Sequence, residues 1–482
     1  MTPNSPQPCY LAGRAVTSTR ILPVHDKFSG REAAHVALAG PGEIERAIAA
    51  AVSAERACRT MPAHARAAVL RRISETLHAR ADDFARTLVT EVGKTIRDAR
   101  AEVARAVETF RNGAEEATRI TGEYLPLDTS ARSENVEGIV RRFPVGACSF
   151  ITPFNFPLNL AAHKIAPAIA AGCPFILKPS EKTPLTSLML GDILARTDWP
   201  ADAWSILVVD LADVGPLVSD DRLKLLSFTG SSEVGWRLKA AAGRKKVALE
   251  LGGVAPCIID ESADLDRAVQ RLVVGKFTTS GQSCIAVQRI LVHESVYARL
   301  RDALVAAASR LTYGDPARED TSVGPLISED AARRVESWIK AAAHAGARIL
   351  CGGTRDRSLI APTILENVPA SGPGSELACR EVFGPVAVLE RFTSFDDALD
   401  RANSTPFGLQ AGIFTSDLRR AFRAFHELDF GGIVINDVPT FRVDSMPYGG
   451  VKQSGFGREG LRYAIQDMTE PRIMVLSNVA NP

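Results

Sequence analysis

The spacing of apolar residues between about positions 40 and 118 is that of amphipathic helices. Apolar side chains recur there every three or four residues, as at Ile44, Ala47, Ile48 and Ala51. A helix places residues with this spacing on one face, which can then pack against a core. The pattern therefore predicts a largely helical region ahead of any sheet.

A different pattern lies between about residues 143 and 251, where short, mostly apolar runs alternate with helical stretches. The runs are ACSFI (147–151), PFILK (174–178), WSILVV (204–209), LKLLSF (223–228) and KVALEL (246–251). Apolar runs of this length without regular polar alternation are typical of strands that are buried on both faces. Because helices separate the runs, parallel crossover connections are the natural topology, and the pattern predicts a doubly wound sheet.

A second series of strands and helices occupies the following part of the chain. Its predicted strands are CIID (257–260), QRILVH (288–293), PVAVLE (385–390), GIFTS (412–416) and GIVIN (432–436). Helices are predicted from about 264 and over about 294–311. The two series together predict an α/β fold class.

Composition and charge narrow the class of partner. The chain has 482 residues, 46% apolar and 23% charged, and its 57 Lys and Arg against 56 Asp and Glu give a formal net charge of +1. These proportions are those of a globular protein that is large enough for more than one core. A net charge near zero leaves no strong field to hold nucleic acid or an anionic membrane surface, so we expect a small molecule or a protein as partner.

Cysteine spacing bears on metal binding and on the redox compartment, and proline positions bear on whether a segment crosses a membrane. The eight cysteines lie at least 25 residues apart, without the spacing of a zinc site or a CxxC redox motif. We therefore predict no metal site and expect a reducing cytoplasm. Residues 143–162 carry no charge, but Pro144, Pro153 and Pro157 interrupt them. We interpret this segment as a strand, a loop and the start of a helix rather than a membrane span.

Two glycine-rich segments compete for the role of a phosphate-binding loop. GFGREG (455–460) matches the G-x-G-x-x-G pattern of dinucleotide-binding folds, but it follows a polar, turn-rich stretch rather than a strand. GSSEVG (230–235) directly follows a predicted strand and precedes a helical stretch. The free N–H groups of that helix can face a phosphate, so the context favours GSSEVG.

Three further residues have roles that their local sequences leave open. Cys284, in GQSCIAVQR, is either a nucleophile that needs activation or a small core residue. Glu250 ends a predicted strand beside Gly252 and Gly253, which is where α/β sheets form their sites, but it can equally be an ion-pair partner. The amide of Asn155, in PFNFP, can donate to an oxyanion, whereas the local sequence alone favours a cap on the following helix.

Seven motifs, taken in order, resemble the aldehyde dehydrogenase superfamily over nearly the whole chain. They are FNFP (154–157), KPSEKTP (178–184), FTGSSEVG (228–235), LELGG (249–253), GQSC (281–284), EVFGP (381–385) and MPYGGVKQSGFGREG (446–460). The resemblance implies an enzyme that uses NAD(P)+ to oxidise an aldehyde to a carboxylic acid. It implies that Cys284 is the nucleophile, which forms a thiohemiacetal and then a thioester. It further implies that Glu250 is the general base and Asn155 the oxyanion donor.

The resemblance also implies a dinucleotide site that needs no metal, with GSSEVG as the cofactor loop. Lys178 and Glu181 match residues that hold the adenosine ribose, and Ser231 matches one that contacts the pyrophosphate. Glu381 and Phe383 match residues that hold the nicotinamide ribose and ring. The other cofactor-binding residues that the resemblance implies are Thr152, Pro153, Ser180, Gly230, Val234, Gly235, Leu251 and Gly252. Glu181 can accept a hydrogen bond from the ribose 2′-OH of NAD but repels the 2′-phosphate of NADP. NAD is therefore the expected cofactor, with NADP tolerated.

The expected substrate is a small aldehyde that carries an anionic or strongly polar group. His163 and Arg442 match stretches that line the aldehyde tunnel in the family. Arg111, on the helical region, is a further candidate, with a solvated helix arginine as the alternative. A desolvated arginine binds a carboxylate, phosphate or phosphonate bidentately, which suits the lactaldehyde, semialdehyde and phosphonoacetaldehyde branches of the family.

The family architecture implies three parts. A Rossmann-like dinucleotide-binding domain is expected at 1–121 and 145–252, an α/β catalytic domain at 253–462, and a β-hairpin oligomerisation arm at 122–144 and 463–482. The two strand-like runs of 122–144 are too short to be stable alone, so we expect the arm to pair with the tail across a subunit interface. A homodimer or homotetramer is the expected assembly.

Two other functions are weighed against this one. A coenzyme A-acylating semialdehyde dehydrogenase would pass the thioester to coenzyme A, and the presence of Glu250 as a water-activating base argues against it. A catalytically silent binding protein on the same fold would lack Cys284, Glu250 or Asn155, and all three are present.

Overall fold

The computed structural model of the protein describes residues 6–477, so residues 1–5 of the predicted first domain and 478–482 of the predicted arm lie outside the described residues. Its helices are α1 (Pro41–Ser53), α2 (Glu55–Thr60), α3 (Ala63–Ala79), α4 (Ala81–Val92), α5 (Ile96–Ala117), α6 (Pro157–Ala171), α7 (Leu185–Leu194), α8 (Gly215–Ser219), α9 (Ser232–Ala241), α10 (Leu265–Phe277), α11 (Glu294–Ser309), α12 (Glu329–His344), α13 (Glu376–Cys379), α14 (Phe395–Asn403), α15 (Leu418–Glu427) and α16 (Leu461–Asp467). Its strands are β1 (Cys9–Leu11), β2 (Arg14–Val16), β3 (Ile21–His25), β4 (Glu32–Ala37), β5 (Glu123–Pro126), β6 (Val136–Pro144), β7 (Cys148–Ile151), β8 (Phe175–Lys178), β9 (Trp204–Ile206), β10 (Leu225–Thr229), β11 (Lys246–Glu250), β12 (Ala255–Ile259), β13 (Val287–His293), β14 (Arg348–Cys351), β15 (Arg355–Asp356), β16 (Leu359–Ile360), β17 (Thr363–Glu366), β18 (Val386–Phe392), β19 (Phe407–Gly408), β20 (Gln410–Phe414), β21 (Gly432–Ile435), β22 (Val451–Lys452), β23 (Gly455–Phe456) and β24 (Thr469–Ser477).

The predicted helical region consists of α1 to α5, as its apolar spacing indicates. Helix α5 is the longest, with 22 residues, and packs against α3 and α6. Its first turn is capped by Thr95, whose side chain accepts the Asp98 N–H at 3.3 Å. The apolar face of α5 belongs to the core that also contains the first sheet.

The first large sheet has the strand order β2-β1-β9-β8-β7-β10-β11-β23. Its five central strands, β9, β8, β7, β10 and β11, pair in parallel, and each corresponds to one of the predicted apolar runs. The carboxyl ends of parallel strands meet at one edge of a sheet. Asn155, Lys178, Gly230 and Glu250 are therefore all brought to that edge, because each ends one of these strands or follows it closely.

The second large sheet has the order β14-β17-β18-β13-β12-β20-β21 and contains the five strands predicted in the second series. All its pairings are parallel except that of β14 with β17. Cys284 lies between α10 and β13, on the connection into the middle of this sheet. The nucleophile candidate is therefore held by a different sheet from Asn155 and Glu250.

A smaller antiparallel sheet, which we call the arm sheet, has the order β24-β6-β5. Strand β24 pairs with β6 of the same chain, from Thr469 opposite Pro144 to Ser477 opposite Val136. This corrects the expectation that the arm and the tail pair across a subunit interface. The tail returns to its own chain because the Val145 N–H donates to the Met468 carbonyl at 3.0 Å, which fixes the start of β24 beside the end of β6.

The uncharged segment 143–162 contains the end of β6, all of β7 and the start of α6. This confirms its interpretation as a strand, a loop and a helix start. Within residues 6–477, the helices are too short or too polar to cross a membrane.

Candidate active site

A cavity of about 700 Å³ is lined by residues from both large sheets. The predicted site residues that line it are Cys284, Glu250, Asn155, Pro153, Ser180, Glu181, Gly230, Ser231, Val234, Leu251, Gly252, Glu381, Phe383 and Arg442. The predicted site residues that lie outside its lining are Thr152, Lys178, Gly235, His163 and Arg111. One continuous space therefore joins most of the predicted cofactor residues to the predicted catalytic residues.

The segment 278–286, which we call the nucleophile loop, places Cys284 against the cavity. The Cys284 Sγ lies 3.1 Å from the phenol oxygen of Tyr448, a residue that the sequence analysis did not single out. Burial raises the pKa of the Cys284 thiol to about 12, and the hydrogen bond from Tyr448 acts in the opposite direction. The thiol therefore has to transfer its proton when its sulfur bonds to a substrate.

The Asn155 side chain points at the nucleophile loop. Its Nδ2 donates to the Gln282 carbonyl at 3.0 Å, while its buried Oδ1 has no hydrogen-bond partner. The helix-cap role that the local sequence favours is wrong, because the N–H groups of Leu158 and Asn159 in the first turn of α6 donate to Glu102 Oε1, each at 3.1 Å. The Asn155 amide keeps a second N–H that can donate to a ligand in the cavity.

Glu250 is buried at the carboxyl end of β11, and its Oε2 has no hydrogen-bond partner. Burial and the nearby Glu459 carboxylate raise the pKa of Glu250 well above its usual range, and the positive charges of Arg442 and Lys164 oppose this shift. A carboxylate with a raised pKa accepts a proton more readily near neutral pH. The environment of Glu250 therefore suits a general base.

The GSSEVG segment joins β10 to the first turn of α9. Ser231 is the N-cap residue of α9, but its side chain makes no capping hydrogen bond. A Cβ at Gly235 would lie 2.3 Å from the Leu251 side chain, so glycine lets α9 pack closely on β11. The start of α9 therefore offers N–H groups to an anion at the cavity. GFGREG, in contrast, begins with β23, which pairs antiparallel with β11.

The remaining predicted cofactor residues form two groups. The Lys178 Nζ lies 2.9 Å from Glu181 Oε2, and Glu181 lines the cavity. Glu381 accepts the Gly253 N–H at 3.2 Å, and burial raises its pKa to about 7. A Cβ at Gly252 would lie 2.5 Å from Glu381 Oε2, so this glycine leaves room for the carboxylate.

Arg442 and His163 contact each other, but only Arg442 faces the cavity. Nη2 of Arg442 donates to Glu459 at 3.2 Å, and its guanidinium lies 3.7 Å from the centre of the Tyr448 ring. Its buried Nε makes no hydrogen bond and lies 3.8 Å from Asp444 Oδ1. His163 lies behind Arg442, where its Nε2 is 2.9 Å from Asp444 Oδ1. His163 is therefore corrected as a tunnel-lining residue: it lies outside the cavity lining and contacts Arg442 at 3.4 Å.

Arg111 does not reach the cavity. Its side chain is 61% exposed and lies 3.8 Å from Glu108, which corrects its candidacy for the substrate site. Arg105 lines the cavity instead, and its Nη2 donates to Asp444 at 2.7 Å. Six residues rotate a helix by about 240°, so Arg105 and Arg111 point in different directions from α5.

Comparison with known proteins adds to this geometry. The sequence pattern of the aldehyde dehydrogenase family matches residues 15–474. The chain belongs to this family. It is 40% identical over 469 residues to the 3-sulfolactaldehyde dehydrogenase of Priestia aryabhattai, with 97% of each sequence covered.

Two solved structures of family members are similar over nearly the whole chain. The first is aldehyde dehydrogenase 21 of Physcomitrella patens in complex with the reaction product succinate, with a TM-score of 0.98, 47% identity and 100% of both chains covered. The second is the glyceraldehyde-3-phosphate dehydrogenase GapN of Methanocaldococcus jannaschii complexed with NADP, with a TM-score of 0.91 and 38% identity. It covers 95% of this chain and 100% of that one.

Membership in the aldehyde dehydrogenase family confirms the resemblance, the α/β fold class and the predicted activity class, an NAD(P)-dependent aldehyde dehydrogenase. Sequence reasoning missed four residues of this aldehyde dehydrogenase that line the cavity or contact residues beside it: Tyr448, Glu459, Asp444 and Arg105. Tyr448 and Glu459 lie within the MPYGGVKQSGFGREG motif, which is the signal that points to them. In the described part of the chain, His, Cys, Asp and Glu residues form no group of three or more that could hold a metal ion.

Proposed function

We propose that this aldehyde dehydrogenase oxidises a small, anionic aldehyde to the carboxylic acid through a covalent intermediate on Cys284. Asn155 is the oxyanion donor, Glu250 the general base and Arg442 a residue that binds the anionic end of the substrate. The observation that carries the proposal is that these four residues line one cavity, and that Asn155, Glu250 and Arg442 each have a buried polar atom that makes no hydrogen bond.

The first step is attack of the Cys284 sulfur on the aldehyde carbon. A C–S bond forms, the thiol proton passes to a water molecule, and the carbonyl π electron pair moves to the oxygen, which becomes an alkoxide in a tetrahedral thiohemiacetal. The second N–H of the Asn155 amide and the backbone N–H of Cys284 stabilise this oxygen. Each well-placed donor of this kind contributes about 3 kcal/mol to transition-state stabilisation.

The residues around the rest of the cavity fit a nicotinamide dinucleotide. Glu181, with Lys178 behind it, would hold the adenosine ribose, the start of α9 the pyrophosphate, and Glu381 and Phe383 the nicotinamide riboside. NAD(P)+, when bound, supplies the hydride acceptor that the oxidation requires. The position of Glu381 and Phe383 in the cavity lining and the N–H groups at the start of α9, which no side chain caps, support this assignment.

Glu250 completes the reaction after oxidation has left an acyl group on Cys284 as a thioester. Its carboxylate takes a proton from a water molecule whose oxygen bonds to the acyl carbon, and the C–S bond breaks to release the acid and the Cys284 thiolate. The raised pKa of Glu250 supports this role, because a stronger base removes the water proton more readily. Water, rather than coenzyme A, is therefore the proposed acyl acceptor.

The anionic substrate is supported by two arginines that line the cavity, Arg442 and Arg105. The buried Nε–H of Arg442 makes no hydrogen bond, although Asp444 Oδ1 lies 3.8 Å away, and the Arg105 side chain, which lines the cavity, is 33% exposed. A buried guanidinium N–H is costly to leave without a hydrogen bond, and a carboxylate or sulfonate oxygen can accept one from it. The succinate held by the moss relative and the sulfolactaldehyde in the bacterial relative's name are both anionic. We therefore infer a short aldehyde acid such as succinate semialdehyde or 3-sulfolactaldehyde.

We expect Arg442→Gln to lower the preference for succinate semialdehyde over butanal, which has the same chain length, by roughly 10- to 100-fold. The preference is the ratio of the two kcat/KM values, measured by cofactor reduction. The ratio cancels general damage to the site, because both aldehydes react at the same sulfur. A matched control is Arg111→Gln, whose exposed side chain should leave the ratio unchanged within about twofold. Equal ratios in wild type and Arg442→Gln would remove Arg442 from the substrate site.

We propose NAD as the preferred cofactor, with NADP accepted. The Glu181 carboxylate is already paired with Lys178, so the positive charge of Lys178 is already neutralised. The 2′-phosphate of NADP would therefore be repelled by the Glu181 carboxylate. We expect Glu181→Gln to shift the ratio of kcat/KM for NAD to that for NADP by about tenfold toward NADP. Fluorescence titration with NADH and NADPH should give the same shift in the ratio of Kd values.

The control for the cofactor prediction is Asp202→Asn, an exposed acid of the same half of the chain that lies outside the cavity lining. It should leave the NAD to NADP ratio within about twofold of wild type. A wild-type enzyme that already prefers NADP would contradict the weight given to Glu181.

We further propose that the chain assembles as a homodimer or homotetramer in the cytoplasm, with the domain limits given above. The apolar side chains of Ile473, Met474 and Val475, on the edge strand β24 of the arm sheet, are 51%, 53% and 54% exposed. An exposed apolar edge strand is a template for pairing with another chain. The arm sheet is therefore proposed as a contact between subunits, even though its own three strands come from one chain.

A further inference from the structure

The nucleophile loop contains an unfavourable backbone conformation a few residues before Cys284, at Thr279 and Ser280. Thr279 (φ 53°, ψ 31°) and Ser280 (φ 56°, ψ 30°) are both in the left-handed region, and Gly281 (φ 69°) continues the turn. Only glycine adopts this region freely, and a β-branched residue such as threonine is rarely found there. Such a turn persists only where the surrounding structure holds it.

Few side chains hold this turn, and one of them is charged. Asp98, in the first turn of α5, accepts the Thr279 N–H on its Oδ2 at 2.7 Å. On the other side, the Ser280 hydroxyl donates to the Gly324 carbonyl at 2.9 Å. A carboxylate makes a shorter and stronger hydrogen bond to a backbone N–H than a neutral acceptor does. Asp98 is therefore the strongest single acceptor on the turn.

The next turn of the same helix holds the other side of the site. Glu102, four residues after Asp98 and thus on the same helix face, accepts the N–H groups of Leu158 and Asn159, just after Asn155. Glu102 is itself paired with buried Lys94, so its carboxylate is fixed. Helix α5 thus contacts both the nucleophile loop and the segment that carries the Asn155 amide.

We propose that Asp98 is a positioning residue that, through the Thr279 N–H, holds the nucleophile loop in its left-handed turn. The Cys284 thiol and backbone N–H then face the Asn155 amide. The proposal rests on the roles proposed above for Cys284 and Asn155. Asp98 also lines the cavity, but in this proposal it acts on the nucleophile loop and not on the substrate. Its effect depends on where its acceptor oxygen lies, because a displacement of about 1 Å in a reacting group lowers rates by roughly 100-fold.

Three variants separate placement of the acceptor from its charge. Asp98→Ala removes the acceptor, and we expect kcat to fall by roughly 10- to 100-fold while the aldehyde KM changes less than about threefold. Asp98→Asn keeps an oxygen acceptor in place without the charge, and kcat should stay within about fivefold of wild type. Asp98→Glu keeps the charge but moves the carboxylate by one methylene, so kcat should fall by about tenfold.

The measurements are steady-state kinetics with succinate semialdehyde, NADH binding by fluorescence titration and thermal unfolding. NADH Kd should stay within about twofold of wild type in every variant, because Asp98 acts on the nucleophile loop rather than on the cofactor residues. Glu108→Ala is the matched control, since Glu108 is an acid on the same helix with a 58% exposed side chain. It should match wild type in all three measurements.

Several results would overturn the positioning role. The first is a kcat of Asp98→Ala within twofold of wild type. The second is a rise in the aldehyde KM of Asp98→Ala without a fall in its kcat. The third is an Asp98→Glu enzyme as fast as wild type together with an Asp98→Asn enzyme as slow as Asp98→Ala. If Asp98→Ala does not fold, the comparison of Asp98→Asn with Asp98→Glu decides the question alone. If wild type and Glu108→Ala oxidise no aldehyde, the proposed function fails and this proposal fails with it. An active wild type with an unaffected Asp98 series overturns the positioning role only.

Discussion

Cys284→Ala is expected to abolish aldehyde oxidation, with kcat lower by on the order of 10⁴-fold or more. A planar carbonyl has no electron pair that can expel a hydride, whereas the tetrahedral alkoxide formed by sulfur attack does. Cys284 is the cysteine that lines the cavity, with its Sγ 3.1 Å from the Tyr448 oxygen. Steady-state reduction of NAD with succinate semialdehyde measures the loss, and NADH titration should show unchanged cofactor binding.

The control for this prediction is Cys379→Ala. Cys379 is exposed and lies outside the cavity lining, so its replacement should leave kcat within about twofold of wild type. Residual turnover above a hundredth of the wild-type rate in Cys284→Ala, in a preparation free of wild-type enzyme, would contradict nucleophilic catalysis by Cys284.

Glu250→Gln is expected to separate the two halves of the reaction. The oxidation should still occur once per active site, because Cys284 and Asn155 are intact, and stopped flow should record a burst of one NADH per subunit. Thioester hydrolysis should then slow by roughly 10²- to 10⁴-fold, which is the usual contribution of a general base. The amide of glutamine has nearly the same shape as the carboxylate but does not accept the water proton.

Chemical rescue gives the control for Glu250→Gln. Hydroxylamine attacks a thioester without a general base, so its addition should restore repeated turnover of the variant. Coenzyme A provides a second comparison, because an acylating enzyme would turn over faster when it is added to wild type. Full steady-state turnover of Glu250→Gln without added nucleophile would reject Glu250 as the base.

The sheets follow from the sequence because burial on both faces leaves a simple signal. Each of the ten predicted apolar runs overlaps a strand of one of the two large sheets, with ends that differ by a few residues. The run WSILVV, for example, is longer than β9 (Trp204–Ile206), because its last residues stay buried beyond the end of the strand. Burial determines apolar composition, whereas hydrogen bonding to a neighbour determines strand length, and only the first is visible in one sequence.

The positions of the catalytic residues could be predicted from the sequence because these residues end or follow strands. The residues at the substrate end of the cavity could not be predicted in this way. Helix α6 is buried along its whole length, so no polar face indicates where His163 points. Its orientation depends on Asp444, which lies 281 residues away in sequence. The choice between Arg105 and Arg111 likewise depends on which face of α5 meets the loop around Asp444. Local patterns do not contain such long-range pairings.

The arm shows the same limit. The run VEGIVRRF predicts a strand that needs a partner, and the tail supplies one as β24. Whether that partner belongs to the same chain depends on the path of α16 beside α6, which brings Met468 to Val145. Sequence pattern identified the need for a partner strand but not which chain provides it.

The most direct test of a covalent intermediate on Cys284 is the mass of the peptide that contains it. Glu250→Gln enzyme, mixed with succinate semialdehyde and NAD, quenched in acid after the burst and digested, should carry one succinyl group on Cys284. The group should be absent when NAD is omitted and should disappear after treatment with hydroxylamine. A burst of NADH with Cys284 unmodified, or with the succinyl group on another residue, would contradict the account.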